Sequence, residues 1–541
     1  MSMFPLLKNK AKMLPKGFLF KEWVPEWLIK ITLFTVLLPS LVLFFLPMAN
    51  INAAAGNTGG ETYDIYFSVA LFYAGYVAFF SLERRFFKYL AAKEYFIVIT
   101  IIQIVSSYIC YSTKEIGILF VFRFIQGMAF TMTVNLSLSL IYARLKTERA
   151  RVIGYSIFFG MLVCMIPFNN FITAQIIDSV DFNIVYKCAM FSYLPSLVFL
   201  MLFMNNVRLD VKFPLYQLDW ASFLYYAISL CLIGYIMVYG QEYYWIEDSR
   251  IYWSVIFIAI FGSLFILRQS RLKRPYFDLE VFKYRNFKVG ALIIAIFYVC
   301  RFAFSITTTY FLTVLKLDPI HVGNITLINI LGIVIGVIIS AVFVLQHRPI
   351  RLLWIYGFCI LLFYHAWMIF LFTTQANENN FYIPLLIQGL GTGTLMTPSI
   401  IFMVSSVPEK LRVTSAGVCL FMRCFGFYIS VGLMNYFELY SKSKHFNTFQ
   451  DKISNANPIT WQSVDKYKEI LLNDGATPRY AAKAANKVLI NAIDTQNHIR
   501  YAIDYYEMIC ILLVFTILLV ALFPYFNRTI LTVSKNQPSP F

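Results

Sequence analysis

The sequence predicts an all-α polytopic membrane protein with fourteen bilayer-crossing helices, and three observations carry that prediction. Of 541 residues, 59% are hydrophobic and only 13% charged, too apolar a balance for an ordinary water-soluble domain. Apolar runs long enough to span a bilayer, roughly 20 residues each, recur along the chain. "ITLFTVLLPSLVLFFLPMAN" (31–50) and "ALIIAIFYVC" (291–300) are examples. Finally, basic residues are concentrated in alternate connections between those runs.

The first run, 29–49, follows a lysine-bearing start (Lys8, Lys10, Lys12, Lys16, Lys21). It is too long for a signal-peptide core and is expected to be retained as a span. The next runs lie at 65–83, 94–112, 116–142, 153–176 and 185–204. Two more follow at 218–240 and 251–268, and then six at 289–313, 321–346, 352–374, 382–407, 412–438 and 505–525. Arg84, Arg85, Lys88 and Lys93 occupy one connection, and Arg144, Lys146, Arg149 and Arg151 the next on the same side. Arg268, Arg271, Lys273, Arg274, Lys283, Arg285 and Lys288 fill a later one, whereas intervening loops carry only single bases such as Lys114, Lys187, Arg250 and Lys316. Lys and Arg favour cytoplasmic loops, so both termini are expected in the cytoplasm of a multi-pass inner-membrane protein. The formal charge of +17 thereby finds its use in topology, and no nucleic-acid partner is expected.

Residues 441–504 form the one long connection, on the side away from the cytoplasm. Its second half, "TPRYAAKAANKVLINAIDTQNHIRYAIDYYEM", has helical composition that runs toward the last span, whereas "NTFQDKISNANPITWQ" reads as surface loop. An internal repeat is also legible. "FIQGMAFTMTVNLSLSLI" (125–142) parallels "LIQGLGTGTLMTPSIIFM" (386–403), aligning Gln126-Gly127 with Gln388-Gly389. Glu148-x-x-Arg151 follows Gln126 by 22 residues, and Glu409-x-x-Arg412 follows Gln388 by 21. Both segments are the fourth span of a six-span group once spans seven and eight are set aside. Two duplicated six-span halves with a central site are a transporter architecture.

The chemistry-bearing residues are few. The nine cysteines are scattered, mostly in apolar runs, without a CxxC pair. There is no nucleotide loop, metal-ligand cluster or nucleophile with a paired base, so no enzyme activity, cofactor, metal or catalytic residue is expected. The informative residues are polar groups in apolar helices. Arg123 lies seven residues into its span, about 10 Å deep. It either snorkels to the headgroups or, the preferred reading, faces inward and bonds to neighbouring spans. Arg301 and Arg423 lie near the middle of theirs, where an arginine is expensive to bury. They either bond backbone at a broken helix or line a positively charged central cavity. No Asp or Glu shares their depth, which favours an anionic or amphipathic substrate over a cation. His365 is either simply hydrogen-bonded or carries a coupling proton. Gln126, Gln388, Asn169 and Asn170 either line the cavity or join helices. Glu83 with Arg84 and Arg85 is expected to form a cytoplasmic gate.

With these residues in view, the chain resembles the major facilitator superfamily, in the fourteen-span drug:proton antiporter branch typified by EmrB. "RFIQG" (123–127) resembles that family's fourth-span motif, and "SLERRF" (81–86) stands at its basic loop between spans two and three. Asp219 opens span seven as the family's aspartate does. "PYFDLEVFKYRNFKVG" (275–290) is similar to its approach to span nine, and "PEKLRVTSAG" (408–417) to its link between spans twelve and thirteen. The likeness runs from about residue 30 to residue 525. Two features depart from it. The first span lacks the family's aspartate, and "IPFNNFITAQIID" has Asn169-Asn170 and Thr173-Ala174 where glycine pairs are usual.

The resemblance implies a major facilitator fold of two six-helix bundles plus two extra helices. Residues 1–28 would be the cytoplasmic N-terminus, 29–204 the first bundle, 205–288 the inserted pair and linker, 289–525 the second bundle and 526–541 the tail. It also implies export of amphipathic or anionic small molecules by alternating access. A periplasmic adaptor (a membrane fusion protein) would contact 441–504, and an outer-membrane channel would complete the path. An uptake carrier or uniporter for small organic anions, and a non-transporting membrane scaffold, are the competing expectations.

Overall fold

The computed structural model describes residues 19–87, 89–144, 150–208, 218–272, 275–453 and 458–527. Among these, fourteen helices are long and apolar enough to cross a membrane. They are α1 (Glu26–Phe45), α2 (Thr62–Phe87), α3 (Ala92–Ser112), α4 (Ile116–Arg144), α5 (Ala150–Ser179), α6 (Asn183–Phe203) and α7 (Trp220–Tyr239). The rest are α8 (Ser249–Arg271), α9 (Arg285–Phe302), α10 (Pro319–Leu345), α11 (Ile350–Leu371), α12 (Tyr382–Ser405), α13 (Arg412–Lys452) and α14 (Pro478–Asn527). After a break at Ala303, α9 continues as Phe304–Thr313. The expected spans are all present, and the chain is a multi-pass membrane protein.

The repeated Gln-Gly proves to be a packing device. A Cβ on Gly127 of α4 would meet Phe72 O of α2 at 2.0 Å, and one on Gly75 of α2 would meet Phe124 O of α4 at 2.2 Å. In the second half, a Cβ on Gly389 of α12 would meet Asn329 O of α10 at 2.2 Å, and one on Gly332 of α10 would meet Leu386 O of α12 at 2.1 Å. The offsets match: each glycine faces the carbonyl three residues before its partner glycine. In lipid, where helices gain little by hiding apolar surface from one another, such close backbone approach supplies much of the association. The halves diverge one turn later. Gly393 continues the close contact against Ile333 O, whereas the corresponding Thr131 donates its hydroxyl to Tyr76 O at 2.9 Å.

The halves meet along two seams. In one, α5 lies against α10, with Gly160 facing Val337 and Gly323 facing Asn170 O. In the other, α2 lies against α13, where Tyr428 donates to Ala70 O at 3.0 Å. The inserted α7 packs across α2 and α13, and α8 leans on α7. At the end bearing the basic loops, Asp219 caps α7 by accepting from Ser222 N (3.2 Å) and pairs with Arg268 of α8 (2.8 Å). Burial alone would raise the Asp219 pKa, but the bonds from Ser222 and Arg268 outweigh it and hold the carboxyl below its usual value. Gln269 accepts from Tyr276 N and Phe277 N, so the segment before α9 is tied to the inserted pair. The Tyr276 hydroxyl in turn donates to Ala78 O of α2.

At the other end α13 and α14 run on for 41 and 50 residues, about 60 and 75 Å, roughly double the hydrocarbon thickness. Ser441 and His445 of α13 both bond Asp504 of α14, the imidazole at 2.9 Å. The helical second half of 441–504 is thus continuous with the last span. The expected loop at 447–462 is instead largely helical: α13 reaches Lys452 and a further helix occupies Pro458–Asn473. Pro458 opens that helix where its missing N–H is harmless, and the segment packs on α14. Residues 454–457 and both chain ends, with Lys10 and Lys535, lie outside the described residues.

Replacing Gly127 by Ala drives a methyl into a backbone carbonyl and is expected to destabilise the protein by roughly 1–3 kcal/mol or more. Gly117, on the same helix, has open space around its Cα, and Gly117→Ala should be neutral or slightly stabilising. Thermal unfolding of the two detergent-purified variants checks this, and equal stability would mean the crossing tolerates separation.

Candidate functional site

The deep polar groups divide into capping groups within the halves and a cationic junction between them. Arg123, fully buried, donates to Leu43 O (2.9 Å) and Phe44 O (2.8 Å) in the last turn of α1. Asn169 of α5 donates to the adjacent Val42 O at 2.9 Å. The last four carbonyls of a helix lack intrahelical donors and carry its negative dipole end, so a guanidinium there meets both needs. Arg123 also bonds Gln126 Oε1 at 3.0 Å and lies 4.6 Å from the Phe72 ring centroid. Asn170, with its amide turned to satisfy its neighbours, donates to Ala49 O at 3.3 Å just beyond α1. Gln388 plays the part of Gln126 in the second half, accepting from Asn329 Nδ2, which also donates to Leu385 O at 2.8 Å.

Arg301 and Arg423 sit elsewhere, where the halves touch. Arg301 of α9 reaches across to α5 and donates Nη2 to Leu162 O (3.3 Å) and Val163 O (3.5 Å). Arg423 of α13 donates Nε to the Tyr298 hydroxyl at 2.7 Å. Both guanidiniums lie within 6 Å of the Tyr298 ring centroid, at 5.6 and 5.5 Å. Phe45 of α1 and Phe159 of α5 supply further π faces at 5.8 and 5.3 Å. The aromatic wall itself crosses the seam: Tyr73 stacks on Phe427 (5.8 Å) and Phe45 meets Phe302 (5.9 Å). Arg301 Nη1 and Arg423 Nη2 have no hydrogen-bond partner among the described residues. Both side chains are only 3% exposed, so this conformation has a closed contact where an open cavity was expected. A cavity of about 30 Å³ lies farther from the basic end, lined by Asn50, Asn170, Thr173, Thr308 and Thr309 among others.

His365 of α11 stands apart from that junction. Its Nδ1–H donates to Leu361 O at 2.7 Å, and its Nε2 has no partner among the described residues. Its ring lies 4.9 Å from Tyr506, whose hydroxyl joins those of Thr307 and Tyr364 and donates to Ala303 O at the break in α9. At the basic end, buried Glu83 accepts from Tyr95 (2.6 Å) and Asn135 (3.1 Å), tying α2 to α3 and α4. The side chains of Arg84 and Arg85 lie outside the described residues. Tyr298, Phe159 and the aromatic wall were not singled out by sequence. With 54 Phe and 36 Tyr, spacing alone cannot mark the few that meet a guanidinium. Among the described residues no group of His, Cys, Asp and Glu is placed to hold a metal ion.

The all-helical, fourteen-span architecture is that of the major facilitator fold. Solved structures agree. A peptide transporter POT in complex with sulfate superposes with a TM-score of 0.60 over 97% of this chain and 99% of that one, at 12% identity. A POT family transporter in complex with 5-aminolevulinic acid gives 0.59 over 92% and 96%, at 11% identity. No known family profile matches the chain. In sequence it is 20% identical over 402 residues to the multidrug export protein EmrB of Haemophilus influenzae, covering 72% of this chain and 76% of that protein. It is 20% identical over 395 residues to the colistin resistance protein EmrB of Acinetobacter baumannii, covering 71% and 76%. The chain has the major facilitator fold with fourteen candidate spans and is similar in sequence to the EmrB proteins, and the proteins it resembles are transporters rather than enzymes.

Arg123→Gln removes the cap from carbonyls that have no water to turn to, at about 1–3 kcal/mol for each buried group left unpaired. Arg123→Lys keeps the charge but not the fork that reaches two carbonyls, and should fall between. Thermal unfolding should rank wild type above Lys above Gln; a Gln variant as stable as wild type would remove the capping role.

Proposed function

We propose that this chain is an inner-membrane secondary transporter of the drug and toxic-compound efflux type, exporting amphipathic or anionic small molecules by rocking of its two halves. The observation that carries the proposal is the Arg301–Arg423 junction. Two guanidiniums from the second half meet the first half inside an aromatic wall, each with an unused donor. The only carboxylate among the buried side chains of the described residues is Glu83, at the basic end of α2. Isolated ions in such surroundings are penalised by several kcal/mol each. A substrate anion supplies the counter-charge when the halves part and the junction opens, and the aromatic wall receives its apolar body. A gradient supplies the energy, with His365 as a candidate proton carrier, and Gln126, Gln388, Asn169 and Asn170 hold the helices that frame the path. Both termini lie in the cytoplasm, a reading that the basic loops support, and Glu83 and its arginine neighbours gate that side. Residues 29–204 and 289–525 are the moving bundles, and 205–288 is the insert that rides beside them.

The helical projection of α13 and α14 is the surface for a periplasmic adaptor, which leads to an outer-membrane channel. Its support is the length of those helices and the likeness to the EmrB proteins. Export in cells should be lost when 447–495 is replaced by a short linker while membrane insertion is kept. Full export by that variant would dismiss the adaptor.

Binding to purified protein tests the substrate reading with an aromatic acid and its amide, 1-naphthoate and 1-naphthamide. A charge-assisted hydrogen bond is worth roughly 1.5–3 kcal/mol, so Arg301→Gln or Arg423→Gln should weaken the acid by about ten- to a hundred-fold. The amide should change far less, and Arg123→Gln should leave the acid-to-amide preference intact. Equal losses for both ligands would make the deep arginines structural.

A further inference from the structure

Helix α5 carries a proline in its interior, Pro167, four residues beyond Val163. Proline has no backbone N–H, so Val163 O has lost the donor that would close its helical hydrogen bond. In a membrane interior a carbonyl left in that state is costly and must find a donor elsewhere. The donor on hand is Arg301 Nη2, which reaches Val163 O (3.5 Å) and Leu162 O (3.3 Å) from the opposite half. Regular helix geometry offers Leu162 O the N–H of Ile166 but offers Val163 O none, so Val163 O is the acceptor in need. The contact joins α9 of one half to α5 of the other, so it breaks whenever the halves part. Arg301 itself stands two residues before the break in α9.

We propose that the Val163 carbonyl, freed by Pro167, is an internal stand-in for the substrate anion at Arg301, allowing the empty transporter to close and reset. The inference rests on the reading that Arg301 binds substrate anions. While substrate is bound, its oxyanion holds the guanidinium, because a charge-assisted bond is stronger than one to a neutral carbonyl. Once substrate has left, Arg301 would enter the closing seam as an uncompensated ion. The carbonyl dipole meets it there instead, with a bond weak enough for the next anion to displace. A transporter with such a stand-in performs net efflux. Without it, the empty form closes poorly, and the protein is confined to exchanging one anion for another.

Full-length protein in liposomes loaded with 1-naphthoate separates the two modes: net efflux into naphthoate-free buffer, and exchange against external naphthoate. Pro167→Ala restores the N–H to Val163 O. It should slow net efflux by about ten-fold, the worth of one hydrogen bond, and leave exchange unchanged. A second readout needs no substrate: the distance between nitroxide labels at Ile157 of α5 and Ile338 of α10. Both residues are exposed, and genetically encoded labels leave the native cysteines in place. Pro167→Ala should shift ligand-free protein toward the longer distance, and in an Arg301→Leu background it should add no further shift. Equal loss of both transport modes, or the same shift in both backgrounds, would mean that Pro167 only shapes the helix and would overturn the proposal. A wild-type protein that moves naphthamide as fast as naphthoate overturns the anion reading itself, and the stand-in role with it.

Discussion

An apolar interior offers no water to a backbone carbonyl, and the placement of Arg123 and Arg301 in this protein follows from that constraint. Where a helix ends or is interrupted by proline, a carbonyl loses its partner and becomes the natural seat for a guanidinium. At the end of α1, Val42, Leu43 and Phe44 present three such carbonyls, which Asn169 and Arg123 occupy. Pro167 creates a fourth at Val163, which Arg301 meets from the other half. The same chemistry therefore produces a cap within one bundle and a contact between two. What differs is whether donor and acceptor belong to one bundle or two.

That difference has a mechanical counterpart in the glycines. Gly75 with Gly127, and Gly332 with Gly389, bring backbones so close that no side chain fits between them. Relative sliding of α2 on α4, or of α10 on α12, would drive carbonyls into Cα atoms, so each bundle resists internal shear. Between bundles the glycine contacts are looser, 3.2 Å at Gly323 and 3.3 Å at Gly160, and they are joined by aromatic faces, a tyrosine hydroxyl on a carbonyl, and two guanidiniums with donors to spare. Were the bundles to move against one another, the seams would yield first, and the charged junction lies along them.

Much of this was legible in the sequence because it is written locally. Span number follows from hydropathy, the end that carries the basic loops from the alternation of Lys and Arg, and the duplication from two copies of Gln-Gly at one depth. Arg123 was read as inward-facing and bonded to neighbouring spans, and its carbonyl partners on α1 place it so. The 447–462 segment was less legible. Its polar residues look like loop, but those among the described residues sit on helices that pack on α14. The expected cavity around Arg301 and Arg423 was also a matter of conformation, which no run of residues records.

By itself, then, the sequence determined how many helices cross the membrane, which ends carry the basic loops, and that two halves repeat. Each of these depends on residues within one turn or one span of each other. Only the tertiary structure decided that Arg123 and Arg301 serve different ends, that Tyr298 sits beneath two guanidiniums, and that Pro167 matters to a residue on another bundle. Apart from Tyr298 and Arg301, which are neighbours on α9, these are contacts between residues 79 to 139 positions apart. Their chemistry depends on which carbonyl is free and which helix passes within reach, and that is settled by packing alone.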